Sequence, residues 1–437
     1  MSPLRLSRSE VAFVVGVPIA WAILLLFHPG GDGNQIYASL DGDGTRMLVV
    51  HVGMLVFIPL LAVAIWLLSR GIETPAARIG RAALPVFVVF YVAWEVLQGI
   101  ANGILTDRVA ALPEGSQELG ANLIQDFAET PLVRDLGIFA LIGTAALLVA
   151  MIATGVALRD AGAPRWTPWA LGLAGFLISA HPPPLGPTGL ALFAVTVIVL
   201  MRSEAGQPAV GRDDQAIGAT SRAFDPYERA FLIGVPVCWA LFLLLHPTGE
   251  GEDFYPIVSD QVTAWMTVHL ATLVFVPLMA GVVLLLLRGV KAVPATVSRV
   301  AVGVFMVVYM AWEVLIGIGT GVLVDQVNQL DGADQAAGAV LVEAFTDNGL
   351  LSVLEMVGTG AWIVGVCAAG IALVREQGVS VAVPILLALS AIPTAWHVFP
   401  FGQAGLVLFI AAVIIVIRAT RTAPQSRRST SKRSAFA

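Results

Sequence analysis

Six histidines are all that this chain of 437 residues carries, and they fall into three matched pairs: His28 with His246, His51 with His269, and His181 with His397. Imidazole ligates zinc, copper and iron, and paired imidazoles hold haem axially, so three histidines converging at one depth in each copy would form a metal or haem site. No HExxH spacing accompanies them, so no zinc-protease motif is present. The plainer alternative is that His28 and His246, each followed by proline, cap helix carboxyl ends by donating to unpaired carbonyls.

A second constellation repeats as well. Tyr91, Trp94, Glu95 and Gln98 stand at i, i+3, i+4 and i+7 on one helical stripe, and Tyr309, Trp312 and Glu313 repeat it with Ile316 in place of the glutamine. A carboxyl group inside an apolar span costs several kcal/mol unless it faces a cavity, finds a partner or stays protonated, which makes Glu95 and Glu313 candidate functional groups. Pro18, Pro59, Pro236 and Pro277 free backbone carbonyls that could accept from such an acid, the non-functional alternative. An α-helix rises about 1.5 Å per residue. Counted on that rise, Glu95 lies about 18 Å inward of Asp107, while His51 lies about 6 to about 8 Å inside its helix. A gap of about 10 Å is therefore expected between them. The glutamates, with Tyr91, Tyr309, Trp94 and Trp312, would form a proton or cation relay beneath the histidines. Gly99 with Gly103, and Gly317 with Gly321, form small-xxx-small faces that admit a neighbouring backbone. Trp21 and Trp239, mid-helix, are expected to fill core.

The elements that position these groups follow from composition. The chain is 57% hydrophobic and 12% charged, with a mean hydropathy of +0.86. That balance excludes a soluble enzyme and predicts an all-α polytopic membrane protein. Apolar runs predict about twelve transmembrane helices, near 11–28, 47–69, 80–105, 133–158, 166–181, 187–202, 229–246, 263–287, 299–324, 350–374, 380–397 and 403–418. HPPPLGPTG after the fifth and HVFPFGQAG after the eleventh stop a helix and turn the chain. Cys238 and Cys367 both lie in apolar runs, so neither a disulfide framework nor a cysteine-based metal motif is present.

GVPIAWAILLLFHPGGDG from Gly16 matches GVPVCWALFLLLHPTGEG from Gly234, and YVAWEVLQGIANGIL from Tyr91 matches YMAWEVLIGIGTGVL from Tyr309, both at an offset of 218. The expectation is two tandem parallel six-helix repeats, 1–202 and 226–420, with a cytoplasmic linker at 203–225 and a basic cytoplasmic tail at 421–437. The first apolar run has no small-residue cleavage site after it and has its own counterpart, so it reads as a span.

Placing the amino terminus inside puts 21 Lys and Arg against 9 Asp and Glu in the inner segments, and 3 against 18 in the outer ones. That asymmetry predicts a multi-pass plasma (inner) membrane protein with both termini cytoplasmic and its working face external. The basic tail suits anionic lipid, so the bilayer, and not nucleic acid, is the expected partner. The acidic outer loops GGDGNQIYASLDGDG and TGEGEDFYPIVSD, and helix-like acidic segments within 107–131 and 325–348, would concentrate cations at the outer mouth. DGDG lacks the twelve-residue loop of a calcium site.

Three functional readings follow. The first is two pseudo-equivalent histidine sites at the extracytoplasmic face, His28, His51 and His181 in one copy and His246, His269 and His397 in the other, binding a transition metal or haem for redox chemistry. A doubled bundle with histidines in both halves looks like the architecture of haem-modifying membrane enzymes such as haem A synthase, which use four helices per half and ligand spacings absent here. The second is a twelve-helix secondary transporter of a cation or small solute working through the intramembrane glutamates. That organisation is similar to carriers of the major facilitator type, although their basic, glycine-containing loop between helices two and three is missing. The third is a structural or sensory membrane protein without chemistry.

Overall fold

The structure is a computed structural model that describes residues 6–30, 35–204, 223–248 and 253–422. Most of the linker 203–225, nearly all of the tail 421–437, and the GDGN (31–34) and GEGE (249–252) portions of the first acidic loops lie outside the described residues. The described chain is helical, with no strand. This is the arrangement that apolar solvent imposes, because a helix satisfies its backbone polar groups internally.

Among the described residues, ten helices are long and apolar enough to cross a membrane. They are α1 (Arg8–Leu25), α2 (Gly44–Ser69), α3 (Pro75–Ala110), α4 (Ile138–Asp160), α6 (Leu185–Arg202), α7 (Pro226–Leu245), α8 (Val262–Leu286), α9 (Val293–Val327), α10 (Gly349–Gln377) and α12 (Phe401–Thr420). The other two expected spans correspond to shorter apolar helices, α5 (Thr167–Ser179) and α11 (Ala382–Trp396), which fall below that length. The first of these has 13 residues and the second 15 residues. At the helical rise they reach about 20 Å and about 22 Å, short of the roughly 30 Å hydrocarbon thickness. Proline accounts for the early stop of α5, since Pro182, Pro183 and Pro184 cannot continue a helix. Conversely, α3 and α9 outrun their expected ends, each passing through a π-helical turn, Val96–Ala101 and Val314–Gly319, that starts at the residue after its glutamate. Such turns recur at functional sites, where the widened helix re-aims its side chains.

The chain divides into two compact units. The first comprises residues 1–213, 249–273 and 307–355. Its core is α3, which packs on α4 and on α2, with α5 and α6 beside α4 and α1. On one side lie the helices Glu114–Glu129 and Gly332–Thr346, matching the two acidic segments with helix-like spacing, and the π-helical turns of α3 and α9 touch within this unit. Trp21 is fully buried and stacks on Phe57 at 6.4 Å, so it does fill core.

The second unit comprises residues 214–248, 274–306 and 356–437. Here α12 packs on α7 and α11, and Trp362 lies between Phe305 and Phe409 at 4.7 and 5.9 Å. Ser298 ties two helices by donating to the Gly365 carbonyl at 2.7 Å. Trp239, 1% exposed, is core in this unit.

Candidate metal centre

The site is built on four elements of the first unit. On α2 the buried stripe runs Met47, Val50, His51, Met54, Ile58, Leu61 and Ile65, the i, i+3, i+4, i+7 pattern of a packed helix face, so His51 is carried inward with the aliphatic residues. His28 follows α1 by three residues, and its backbone N–H closes the last turn on the Leu25 carbonyl at 3.0 Å. His181 lies in the turn after α5. The α6 amino end presses directly on it, since a Cβ at Gly186 would overlap the His181 carbonyl, so the glycine of HPPPLGPTG is what lets the chain double back here. Glu95 comes from α3 and is fully buried, as is His51.

These four side chains meet. One ring nitrogen from each of His28, His51 and His181 lies within 4.8 Å of the other two, close enough to hold a metal ion. His28 Nε2 and His181 Nε2 stand 3.2 Å apart. The three rings contact one another edge to face, with centroids separated by 5.1, 4.9 and 5.6 Å. Glu95 joins the cluster: Oε1 is 3.2 Å from His181 Nδ1, and Oε2 is 3.5 Å from His51 Nε2.

The expected gap of about 10 Å between Glu95 and the histidines is therefore wrong. Depth along the helix axis was a poor guide for two reasons. His51 is further in than its span start implied, because α2 begins at Gly44. In addition, α2 and α3 cross so closely at Gly99 that a Cβ there would overlap the His51 ring, which brings the imidazole within one turn of Glu95. The Gly99 face thus receives an imidazole and not a backbone, while Gly103 beside it meets Leu48 and the Gly44 carbonyl.

Hydrogen bonds to carbonyls fix the tautomers of His28 and His51. A carbonyl oxygen only accepts, so the Nδ1–H of His28 donates to Pro29 at 2.6 Å and that of His51 to Met47 at 2.9 Å. In the neutral rings this leaves both Nε2 atoms as lone-pair donors facing the cluster. The buried Nε2 of His51 makes no hydrogen bond among the described residues. If Glu95 is ionised, the Nδ1–H of His181 points at it and a third lone pair faces inward. In that protonation state the lone pairs would repel one another unless a cation lay between them, whereas with Glu95 protonated the His181 Nε2–H can donate to His28 Nε2 at 3.2 Å. The His28 ring donates to Pro29, and therefore does not cap the free carbonyls of α1.

Tyr91 and Trp94 support this arrangement. Tyr91 donates its hydroxyl to the Ile178 carbonyl at 3.3 Å, anchoring the end of α5 shortly before the His181 turn, and Trp94 meets the His181 ring edge-on at 5.4 Å. Opening over the cluster is a cavity of about 870 Å³ lined by His28, His51, His181 and Met47, with Gln98, Asn102, Arg134 and Asp135 among its polar residues. Gln98 donates to Asp135 at 3.2 Å and accepts from Asn102 at 3.0 Å. Burial pushes the Asp135 carboxyl above its ordinary 3.8. Asp135, Arg134 and Asn102 escaped the sequence reading. Asn102 was findable, since it extends the Glu95 stripe by i+7, whereas the connection holding Arg134 and Asp135 has no periodicity.

The second set of candidates divides between the units. In the first unit, His269 donates through Nδ1 to the Trp265 carbonyl at 2.8 Å, places Nε2 3.7 Å from Glu313 Oε2, and lies against Gly317. Tyr309 and Trp312 are in ring contact at 5.3 Å, and Tyr309 is fully buried. In the second unit, His246 and His397 are buried with ring centroids 5.1 Å apart, and each directs Nδ1 at a carbonyl, of Pro247 at 2.8 Å and of Ala395 at 3.3 Å. Comparison of the chain with protein-family models, curated proteins and solved structures finds no match.

Proposed function

We propose that this chain is an integral membrane protein that holds a transition-metal ion in its first copy through His28, His51 and His181, with Glu95 orienting the His181 ring from its Nδ1 side. The observation that carries this reading is the convergence of three ring nitrogens from three separate elements within 4.8 Å, beside a buried carboxylate. Ligands at about 2.0–2.1 Å in a tetrahedral shell stand about 3.3 Å from one another. The separation between His28 and His181, 3.2 Å, is close to that. The Nδ1–H bonds to Pro29 and Met47 are the outer partners that hold metal-binding imidazoles in the correct tautomer.

A haem is a poorer fit, because axial nitrogens on opposite faces of an iron stand about 4 Å apart with a macrocycle between them. His28 and His181 are in direct contact. Three imidazoles with a position left open suit zinc, copper or iron, which would supply Lewis-acid chemistry in the first case and electron transfer in the others. The chain's own part is to keep three neutral donors turned inward and to leave the cluster accessible from the cavity.

The tandem six-helix organisation, the external position of this face and a plasma-membrane location with cytoplasmic termini rest on the repeat and on the charge asymmetry. Elemental analysis of protein purified without chelator tests the reading. Stoichiometric zinc, copper or iron, lost in His51→Gln and His181→Gln, is the expected result. A metal-free protein that accumulates a cation or solute in vesicles would establish the transport reading instead.

A further inference from the structure

The two copies differ at the positions that decide whether anything can reach a metal. Position 47 in the first copy is Met47, a lining residue of the 870 Å³ cavity. The residue 218 positions on is Trp265, 6% exposed. Its indole lies 4.4 Å from the His269 ring and donates to the Gly317 carbonyl at 2.8 Å, so it covers the imidazole and bonds to the helix behind it.

The layer above Trp265 is closed in the same way. Phe254 meets the Trp265 ring edge-on at 5.7 Å. Glu343 holds that segment with two backbone bonds, accepting from Phe254 at 2.9 Å and Tyr255 at 2.6 Å. Tyr255 donates in turn to Asn328 at 2.8 Å, and Asn328 donates to the Ser259 carbonyl at 2.9 Å. The first copy has Ile36 where the second has Phe254, and Gln125 where the second has Glu343. There the Ile36 N–H donates to the neutral Gln125 amide at 3.2 Å, and Ile36 lines the open cavity. A carboxylate accepting two backbone N–H groups is the stronger clamp. Position 98, a cavity glutamine in the first copy, is Ile316 in the second.

We propose that the two copies have divided their roles: the metal at His28, His51 and His181 takes a small external donor, a neutral molecule or anion entering through the Met47 cavity, whereas Trp265 and Phe254 seal the His269–Glu313 pair from such ligands. A catalytic metal site keeps an open coordination position and a structural one does not. This inference rests on the metal reading above.

The test uses the full-length protein in detergent, loaded with copper(II), with azide as the probe. Azide titration followed by charge-transfer absorption is expected to show saturable binding in the wild type. Met47→Trp is expected to retain copper and to weaken azide binding by at least about tenfold. Ile36→Phe with Gln125→Glu, which transplants the second copy's closure without a large residue beside His51, is expected to weaken it in the same direction and serves if Met47→Trp does not fold. Unchanged azide affinity in the folded closing variants, or copper that ignores azide in the wild type, overturns the division of roles and leaves the metal reading standing. A protein that retains no copper overturns both.

Discussion

Replacing Gly99 with alanine puts a methyl carbon where the His51 ring now lies. The nearest ring atoms must retreat by more than about 1 Å before the contact relaxes to an ordinary van der Waals separation of about 3.4 Å. A metal–nitrogen bond tolerates only about 0.2 Å, so the movement takes His51 out of coordination range or drives α2 and α3 apart. Losing an outer partner of a ligand costs about 10–100-fold in affinity, and removing a ligand itself should exceed that, so Gly99→Ala is expected to weaken metal binding by at least about 100-fold. Overpacking adds about 1–3 kcal/mol of destabilisation. The control is Gly103→Ala, which strains the same helix pair against Leu48 and the Gly44 carbonyl and touches no histidine. Competition with a chromophoric chelator gives the affinity, and thermal unfolding in detergent gives the strain. Both variants should unfold earlier, and only Gly99→Ala should lose metal. Wild-type affinity in Gly99→Ala, or an equal loss in Gly103→Ala, would refute the placement of His51 as a ligand.

Glu95→Gln keeps the shape and removes the carboxyl group that stands 3.2 Å from His181 Nδ1. Metal affinity should drop by about 10–100-fold while the fold persists, and the chelator competition reads this directly. Asp135 provides a pH signature. Because burial raises its carboxyl above the ordinary 3.8, the folded chain binds the proton more tightly than the unfolded chain, and stability falls as pH rises through the window between those values. Asp135→Asn should therefore raise the melting temperature at about pH 7 relative to wild type, with the difference vanishing below pH 3.8; a pH series of thermal melts checks both limits. The orientation is tested with single cysteines in a background where Cys238 and Cys367 are alanine. Glu118→Cys should react with an impermeant maleimide on intact cells and Arg78→Cys only after lysis, and the reverse pattern would invert the topology.

Much of this protein is legible from one dimension. Membrane solvent imposes long apolar helices, so composition and run length alone led to an all-helical polytopic chain, and the internal match singled out the histidines and glutamates. The stripe through Tyr91, Trp94 and Glu95 was likewise visible, because helical periodicity is a local property of the chain. What linear counting could not supply was the meeting of side chains from different helices. The joining of Glu95 to His51 and His181 depends on how closely α2 and α3 cross at Gly99, and a glycine in a sequence does not say whether a backbone or an imidazole will fill its space. The same holds for Trp265. In the sequence it is one aromatic residue where the other copy has methionine, and only its indole bond to Gly317 and its tilted contact with the His269 ring make it a cover. Tertiary packing decided these points because they depend on distances between segments far apart in the chain, and residue spacing measures distance only along it.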